Sequence, residues 1–297
     1  YDTIAFSSGM AGISALFEIF EPNSHILSSD ELYGGSIRLF NNISNKKGIE
    51  VTYTDTSIID NVVKGIKDNT KAIYLETPTN PMMNVSDIRG IAKIAKTNNL
   101  LLIVDNTFLS PYYQKPLDLG ADVVIHSGTK FLSGHNDTMA GFICVNSKEL
   151  SDKIRFIIKT VGSGLSPFDS WLIVRGIKTL AIRMQKQQEN ALAIASWLKS
   201  NPSVKDVYYV GLKDNPYYEL NLTQASGFGS MITFTTHNKE KAIDIWNNIK
   251  LVAYAESLGG VESLMTYPFY QTHADVPLEQ RLKRGINECL LRLSVGI

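Results

Sequence analysis

Lys130 carries the strongest chemical signal in this chain. It lies in ADVVIHSGTKFLSGHND, where an apolar strand pattern delivers Ser127, Thr129 and Lys130 to one strand end. An amine at the end of a buried strand is readily lowered in pKa, and a lowered amine forms Schiff bases. The two hydroxyls beside it suit a phosphate. The bland alternative is a lysine on a surface loop, where most lysines lie. Asp105 ends the apolar run LLLIV and opens Asp-Asn-Thr. A carboxylate at the carboxyl end of a buried strand is placed to meet a ligand, and its burial is costly unless a cation or several donors face it. As a plain turn cap it would have no such task. Tyr33 precedes two glycines in ELYGGSIRLF. With the backbone able to approach closely, the ring can lie flat on a planar ligand; core packing is the alternative. SSGMAGISAL, residues 7–16, leads small residues and a glycine into a helix. Free N–H groups at a helix start bind an anion, or the segment is an ordinary turn capped by Ser7 or Ser8. Arg292 alternates with apolar residues in LLRLSV. A half-buried guanidinium needs an anion, either a ligand carboxylate or a structural ion-pair partner.

These residues need a scaffold of strands and helices. Short β-rich runs recur: HILSS at 25–29, VTYTD at 51–55, AIYLE at 72–76, LLIVD at 101–105 and DVVIH at 122–126. Residues 10–20 read as a helix with Ile13, Leu16, Phe17 and Phe20 on one face, and residues 85–98 as another. Continuous apolar strands alternating with helices predict a mainly parallel, buried sheet. Residues 168–199 form the longest helical pattern, which Asn201-Pro202 stops. Beyond it VKDVYYV, GSMITFTT and ECLLRLSV read as strands and KEKAIDIWNNI as a helix. The reading is a large α/β domain over 1–180 and a smaller α+β domain over 181–297.

Composition narrows the function. With 29 Lys+Arg against 29 Asp+Glu, the net charge is zero, which argues against nucleic acid or an anionic membrane as a partner. No apolar run approaches the ~20 residues needed to span a bilayer. Cys144 and Cys289 are the only cysteines, so a reducing compartment, the cytoplasm, is expected, with both thiols as small buried apolar side chains. The histidines, at 25, 126, 135, 237 and 273, show no ligand spacing, and no metal is predicted. Neither a Walker loop nor a GxGxxG fingerprint is present.

Each signal is weak singly, yet together they meet one requirement. A helix start and a Ser/Thr pair hold a phosphate, a flat tyrosine covers a ring, a carboxylate faces a ring nitrogen, and a lysine makes the imine. That set is what pyridoxal phosphate needs. The motifs SSGMAG, LYGGSIRLF, ETPTNP, VDNTF, HSGTKFLSGHND, SPFDSWLIVRGIKTLAIRM, AESLGGVESL, QTHAD and LLRLSVGI occur in this order. Along essentially its whole length the chain resembles the Cys/Met-metabolism group of pyridoxal-phosphate enzymes. This group includes cystathionine γ-synthase, the cystathionine lyases, methionine γ-lyase and O-acetylhomoserine sulfhydrylase.

The resemblance implies the pyridoxal-phosphate-dependent transferase fold of type I, with pyridoxal 5'-phosphate as cofactor. Lys130 would be the Schiff-base lysine and proton shuttle. Asp105 would pair with the ring nitrogen. Tyr33 would stack on the ring and assist at the γ-substituent. Gly9, Met10, Ser127 and Thr129 would hold the phosphate, and Asn80 the ring hydroxyl. Arg292, with Ser257 and Asn80, would bind the substrate α-carboxylate. Arg38 and Glu256 are implied candidates for the substrate's distal end.

Glu256 in AESLGG, followed by THADVP, resembles the cystathionine γ-synthase and γ-lyase branch, and the strings MTYP, QTHAD and SPFDSWLIVRG resemble most the bacterial γ-synthases that also accept sulfide. The expected reaction is therefore γ-replacement, joining an O-acylhomoserine and cysteine into cystathionine for methionine biosynthesis. The alternatives are a cystathionine or homocysteine γ-lyase, an O-acetylhomoserine sulfhydrylase, and a truncated, inactive cofactor-binding domain. Family members form tetramers as dimers of dimers. They also carry a segment before the SSGM motif whose Tyr-x-Arg reaches a neighbour's cofactor phosphate, and a final helix after LLRLSVGI. The sequence from Tyr1 to Ile297 holds neither, so a polypeptide beginning at Tyr1 is expected to hold cofactor and assemble less well.

Overall fold

The computed structural model describes residues 1–274 and 276–297; Asp275, the last residue of the QTHAD string, lies outside them. Seven strands form the first sheet: β1 (Asp2–Phe6), β2 (His25–Ser29), β3 (Glu50–Thr54), β4 (Thr70–Glu76), β5 (Leu101–Asp105), β6 (Val123–Ser127) and β7 (Gly141–Val145). Their order is β1-β7-β6-β5-β4-β2-β3. The β2, β3, β4, β5 and β6 pairings are parallel, and β7 runs antiparallel to both β1 and β6.

Side chains alternate across the sheet with the two-residue period of a strand. Ala72, Tyr74, Ile103, Val123 and Ile125 share one core with Ile13, Leu16 and Phe17 of the helix Gly9–Phe17. Ile73, Leu75, Leu102, Val104 and Val124 share the other with Ile88, Ile91 and Ala95 of the helix Ile88–Thr97. Helices thus cover both faces, as an apolar parallel sheet requires. The period carries Glu76, Asp105 and Ser127 onto the Gly9–Phe17 side at the carboxyl ends of their strands.

A second sheet follows, with β8 (Val204–Tyr208), β9 (Met231–Thr236), β10 (Ala253–Tyr254), β11 (Leu264–Thr266) and β12 (Leu290–Ser294) in the order β10-β11-β12-β9-β8. Ile232, Phe234, Leu291 and Leu293 pack on Ala191, Ala195 and Leu198 of the helix Leu180–Ser200. The intervening positions are polar and buried. Arg292 stands opposite Thr233 on β9 and Thr266 on β11.

Residues 168–199 do not form one helix. They lie in two, Pro167–Ile177 and Leu180–Ser200. The carbonyl of Gly176 accepts from Thr179 N at 3.2 Å and Oγ1 at 3.1 Å, and from Arg183 Nη2 at 2.8 Å. These donors end the first helix, and periodicity alone does not reveal them. The two cysteines are also less buried than expected. Both are free and half-buried, and Cys144 Sγ accepts from Thr3 Oγ1 at 3.3 Å.

Candidate active site

At the carboxyl ends of β4, β5 and β6, a cavity of about 200 Å³ opens beneath the start of the helix Gly9–Phe17. Ser8 caps that helix, its Oγ accepting from Ala11 N at 3.0 Å. The first N–H groups of a helix have no partner within it, and here they border the cavity at Gly9 and Met10. Gly9 also runs close over β6: a Cβ there would stand 3.3 Å from Ser127 Cβ. Tyr33 closes the mouth. Its ring folds back over Gly35, where any Cβ would lie 2.4 Å from Tyr33 Cε1. The Tyr-Gly-Gly string is thus a close-approach requirement rather than a flexible turn.

Lys130 lies in a tight turn, Gly128–Leu132, and its backbone leaves the helical region at φ −93°, ψ −122°. The turn is tied down on two sides. Thr129 Oγ1 accepts from Ala140 N at 3.1 Å, and the buried Arg183 donates to Phe131 O at 2.7 Å and Leu132 O at 3.4 Å. Lys130 Nζ donates to Ser257 Oγ at 3.3 Å. Burial and the Arg292 cation lower the Lys130 amine to about 8, with Glu256 opposing.

Asp105 accepts at Oδ1 from Thr107 N at 3.0 Å and Thr107 Oγ1 at 2.6 Å. Burial nevertheless raises it to about 6, against the two Thr107 hydrogen bonds. Beside it stands Glu76, paired with Asp105 across β4 and β5. Burial first, then the Asp105 charge, hold the Glu76 carboxyl well above its ordinary range.

Arg292 is buried at 2% exposure in β12. Its Nη1 donates to Asn80 Oδ1 at 2.9 Å, and Nη2 to Glu256 O at 3.0 Å and Ser257 O at 3.4 Å. Among the described residues it pairs with no carboxylate, and its Nε has no partner. Burial lowers it to about 10, which leaves it a cation at neutral pH.

The cavity therefore gathers Gly9, Met10, Tyr33, Asn80, Asp105, Ser127, Thr129 and Lys130, as the sequence expects. Hydrogen bonds add Ser257 and Arg292. Glu256 is exposed beside them, its carbonyl on Arg292. Arg38 lies on the exposed side of the helix Gly34–Leu39 and does not line the cavity. Sequence reasoning passed over Glu76, Thr107, Phe108, Met139 and Leu258, which do line it. For Glu76 the signal was present: AIYLE ends in a carboxylate as LLIVD does. Among the described residues no group of three or more His, Cys, Asp or Glu side chains is placed to hold a metal.

The donor set fits pyridoxal phosphate. A lysine with a lowered pKa, a carboxylate with two donors and a helix start with two adjacent hydroxyls border one small space, and a buried guanidinium without a carboxylate partner stands behind its Asn80 wall. The class so defined is a pyridoxal-phosphate enzyme of fold type I.

Comparison with known proteins gives the family. Residues 1–297 match the Cys/Met metabolism PLP-dependent enzyme family, and the chain belongs to it. It is 48% identical over 293 residues to the cystathionine gamma-lyase of Bacillus subtilis (strain 168), covering 99% of this chain and 77% of that protein. It is 48% identical over 295 residues to the cystathionine gamma-synthase of Haemophilus influenzae, covering 99% and 75%. Among solved structures, the cystathionine gamma-lyase from Lactobacillus plantarum complexed with L-serine superposes with a TM-score of 0.95 at 43% identity, covering 99% of this chain and 77% of that one. The protein is thus a pyridoxal-phosphate-dependent enzyme of the transsulfuration family, related to lyases and synthases alike.

Proposed function

We propose that this chain catalyses γ-replacement, forming cystathionine from an O-acylhomoserine and cysteine. The observation that carries the reading is Arg292, buried without a carboxylate partner and linked through the Ser257 backbone and side chain to Lys130. An unpaired buried guanidinium calls for an anion, and an amino acid bound there by its carboxylate would bring its Cα toward the Lys130 amine.

The roles follow from each group's surroundings. Pyridoxal phosphate, when bound, spreads the electron pair left on a substrate carbon after proton removal. Lys130 would hold the group covalently, with Gly9, Met10, Ser127 and Thr129 at its phosphate. Asp105, as an anion, would keep the ring nitrogen protonated. Asn80 both steadies Arg292 and faces the cavity. Once freed, the Lys130 amine, lowered to about 8, is suited to take the Cα proton and return it elsewhere. Tyr33, at the mouth, would shield the ring and face the γ-substituent. Glu256, exposed beside Arg292, would pair with the amino group of incoming cysteine, a role that suits a cystathionine γ-synthase or γ-lyase over a methionine γ-lyase. A partner for Arg38 at the substrate's far end belongs to the same reading.

A second reading is γ-elimination, supported by the 48% identity to a cystathionine gamma-lyase. Protein loaded with pyridoxal phosphate is given O-acetyl- or O-succinylhomoserine, with and without cysteine, and products are identified by mass spectrometry. Cystathionine formed only with cysteine is the expected result. Mostly 2-oxobutyrate and ammonia would replace it with the lyase reading.

We further propose a division at about residue 180 into a large cofactor-binding domain and a smaller C-terminal domain, a cytoplasmic location, and a tetramer built from dimers. Phe168, Trp171 and Val174 of the helix Pro167–Ile177 are exposed. Beside them Thr138 Oγ1 donates to Asp169 at 2.5 Å, and the neighbouring Met139 is both exposed and cavity-lining. A second copy covering that face would close the site. Sedimentation at several concentrations tests the assembly.

A further inference from the structure

Two carboxylic acids stand side by side in the cavity wall, and the reading above uses only one. Glu76 ends β4 and Asp105 ends β5, and the two are register partners in a parallel pair. Partners in adjacent strands point to the same face, and both line the cavity. Both are more than nine-tenths buried, Glu76 at 6% and Asp105 at 8% exposure. Two carboxylates so close and so buried do not both ionise.

Hydrogen bonding decides which of them takes the charge. Asp105 accepts two hydrogen bonds, from Thr107 N and Thr107 Oγ1. The one hydrogen bond to the Glu76 carboxyl among the described residues comes from Tyr33 N, at 2.9 Å to Oε2. Donors stabilise a carboxylate, so the anion belongs at Asp105. The other titratable groups felt at Glu76 are few. Glu31, after β2, repels its charge, Arg292 on β12 attracts it weakly, Lys130 lines the same cavity, and the Tyr74 hydroxyl lies two residues back on β4. Desolvation outweighs the attraction from Arg292.

We propose that Glu76 is a positioning residue that stays protonated beside Asp105, holds Tyr33 over the cavity through the Tyr33 N–H, and leaves the single buried negative charge of the wall to Asp105. A carbonyl oxygen of a neutral acid accepts a backbone N–H as well as a carboxylate oxygen does in geometry. The loop that carries Tyr33 is therefore fastened to the strand next to Asp105 without a second anion. The inference rests on the reading of Asp105 as partner of the cofactor's ring nitrogen.

The test uses protein loaded with pyridoxal phosphate. Infrared difference spectra between wild type and Glu76→Gln, recorded with 13C-labelled glutamate at neutral pH, read the protonation state directly. Loss of a protonated carboxylic-acid carbonyl stretch is the expected result. Loss of carboxylate bands would overturn the proposal. The absorbance of the bound cofactor is then titrated with pH. Glu76→Gln is expected to leave the midpoint in place, because no charge is removed. Removal of an anion this near would move it by about one pH unit or more, and such a shift would also overturn the proposal.

Glu76→Leu removes the acceptor for Tyr33 N. Cofactor release is expected to quicken roughly three- to tenfold, the worth of one hydrogen bond, with Glu76→Gln restoring the slow rate. Equal loosening in both variants would defeat the positioning role. If the leucine variant does not fold, the glutamine variant's spectra and release rate still decide. Asp105→Asn addresses the underlying reading separately. A cofactor titration unchanged in that variant would remove the role of Asp105 while the Glu76 carbonyl band remained to be read.

Discussion

In the seven-stranded sheet the chemical groups stand at strand ends; in the five-stranded sheet the decisive group stands in mid-strand. Asp105 and Glu76 close β5 and β4, and Lys130 follows β6 by a short turn. Arg292 is the third of the five residues of β12, with Thr233 and Thr266 beside it. The parallel sheet is apolar on both faces, so it tolerates charge only where the strands stop. The smaller sheet, antiparallel but for its β10–β11 pair, has one apolar face, against the helix Leu180–Ser200, and can bury a polar row on the other. The large sheet thus supplies reactive groups whose pKa values are shifted by burial. The small sheet supplies a fixed, buried cation held by an amide oxygen and two carbonyls.

The sharpest way to break this contrast is Lys130→Ala. Turnover is expected to fall below detection, and added pyridoxal phosphate should bind without the absorbance change of a covalent link. A retained change would remove the lysine from the site. The same residue carries the pH prediction. Its amine is lowered to about 8, so capture of added pyridoxal phosphate, followed by absorbance, should rise as pH increases through 8 and level off above it. Below that point the ammonium has no free electron pair. A rise centred near the ordinary lysine value of 10.5 would contradict the burial argument.

Arg292→Lys probes the other sheet. It keeps the charge and loses the fork, so the substrate KM should rise about 10- to 100-fold, the worth of a charged hydrogen bond. The chemical step should suffer less. An equal fall in kcat at unchanged KM would assign Arg292 to the chemistry instead. Arg183→Met tests the joint between the regions. Its guanidinium holds Phe131 O, Leu132 O and Gly176 O, and stranding those buried carbonyls should cost about 2 to 3 kcal/mol in denaturant unfolding. The smallest effect is expected at Lys148 and Asp152, an exposed pair at 2.5 Å. Asp152→Asn should leave the unfolding midpoint where it is, because solvent screens such pairs.

Much of this contrast was legible in the residues. LLIVD, HILSS and DVVIH announce buried strands, and the apolar–polar alternation of LLRLSV gives the two faces of β12. What escaped had physical reasons. YDTIAF and GFICV are strands β1 and β7, yet only the short helical turn Gly128–Leu132 separates β6 from β7, so the alternation that flags a parallel sheet fails there. The helix break at Lys178–Thr179 depends on Arg183 reaching back to Gly176, which no period records. Arg292 could have been a structural ion pair by pattern alone; only its neighbours, an amide oxygen and two carbonyls, distinguish the cases. Glu76 was overlooked because a terminal glutamate on one strand reads as ordinary until register sets it beside Asp105.

The pairing of β1 with β7 also sets a timetable. Asp2 lies opposite Val145, so the first strand of the sheet finds its neighbour only after about 140 further residues have left the ribosome, on the order of ten seconds of synthesis. Until then its edge is bare. Contacts so distant along the chain are slow to form, and a nascent chain halted between β6 and β7 would present an unpaired apolar strand. Chaperone demand and aggregation should therefore peak for polypeptides interrupted in that interval, and fall once the residues after Gly141 emerge.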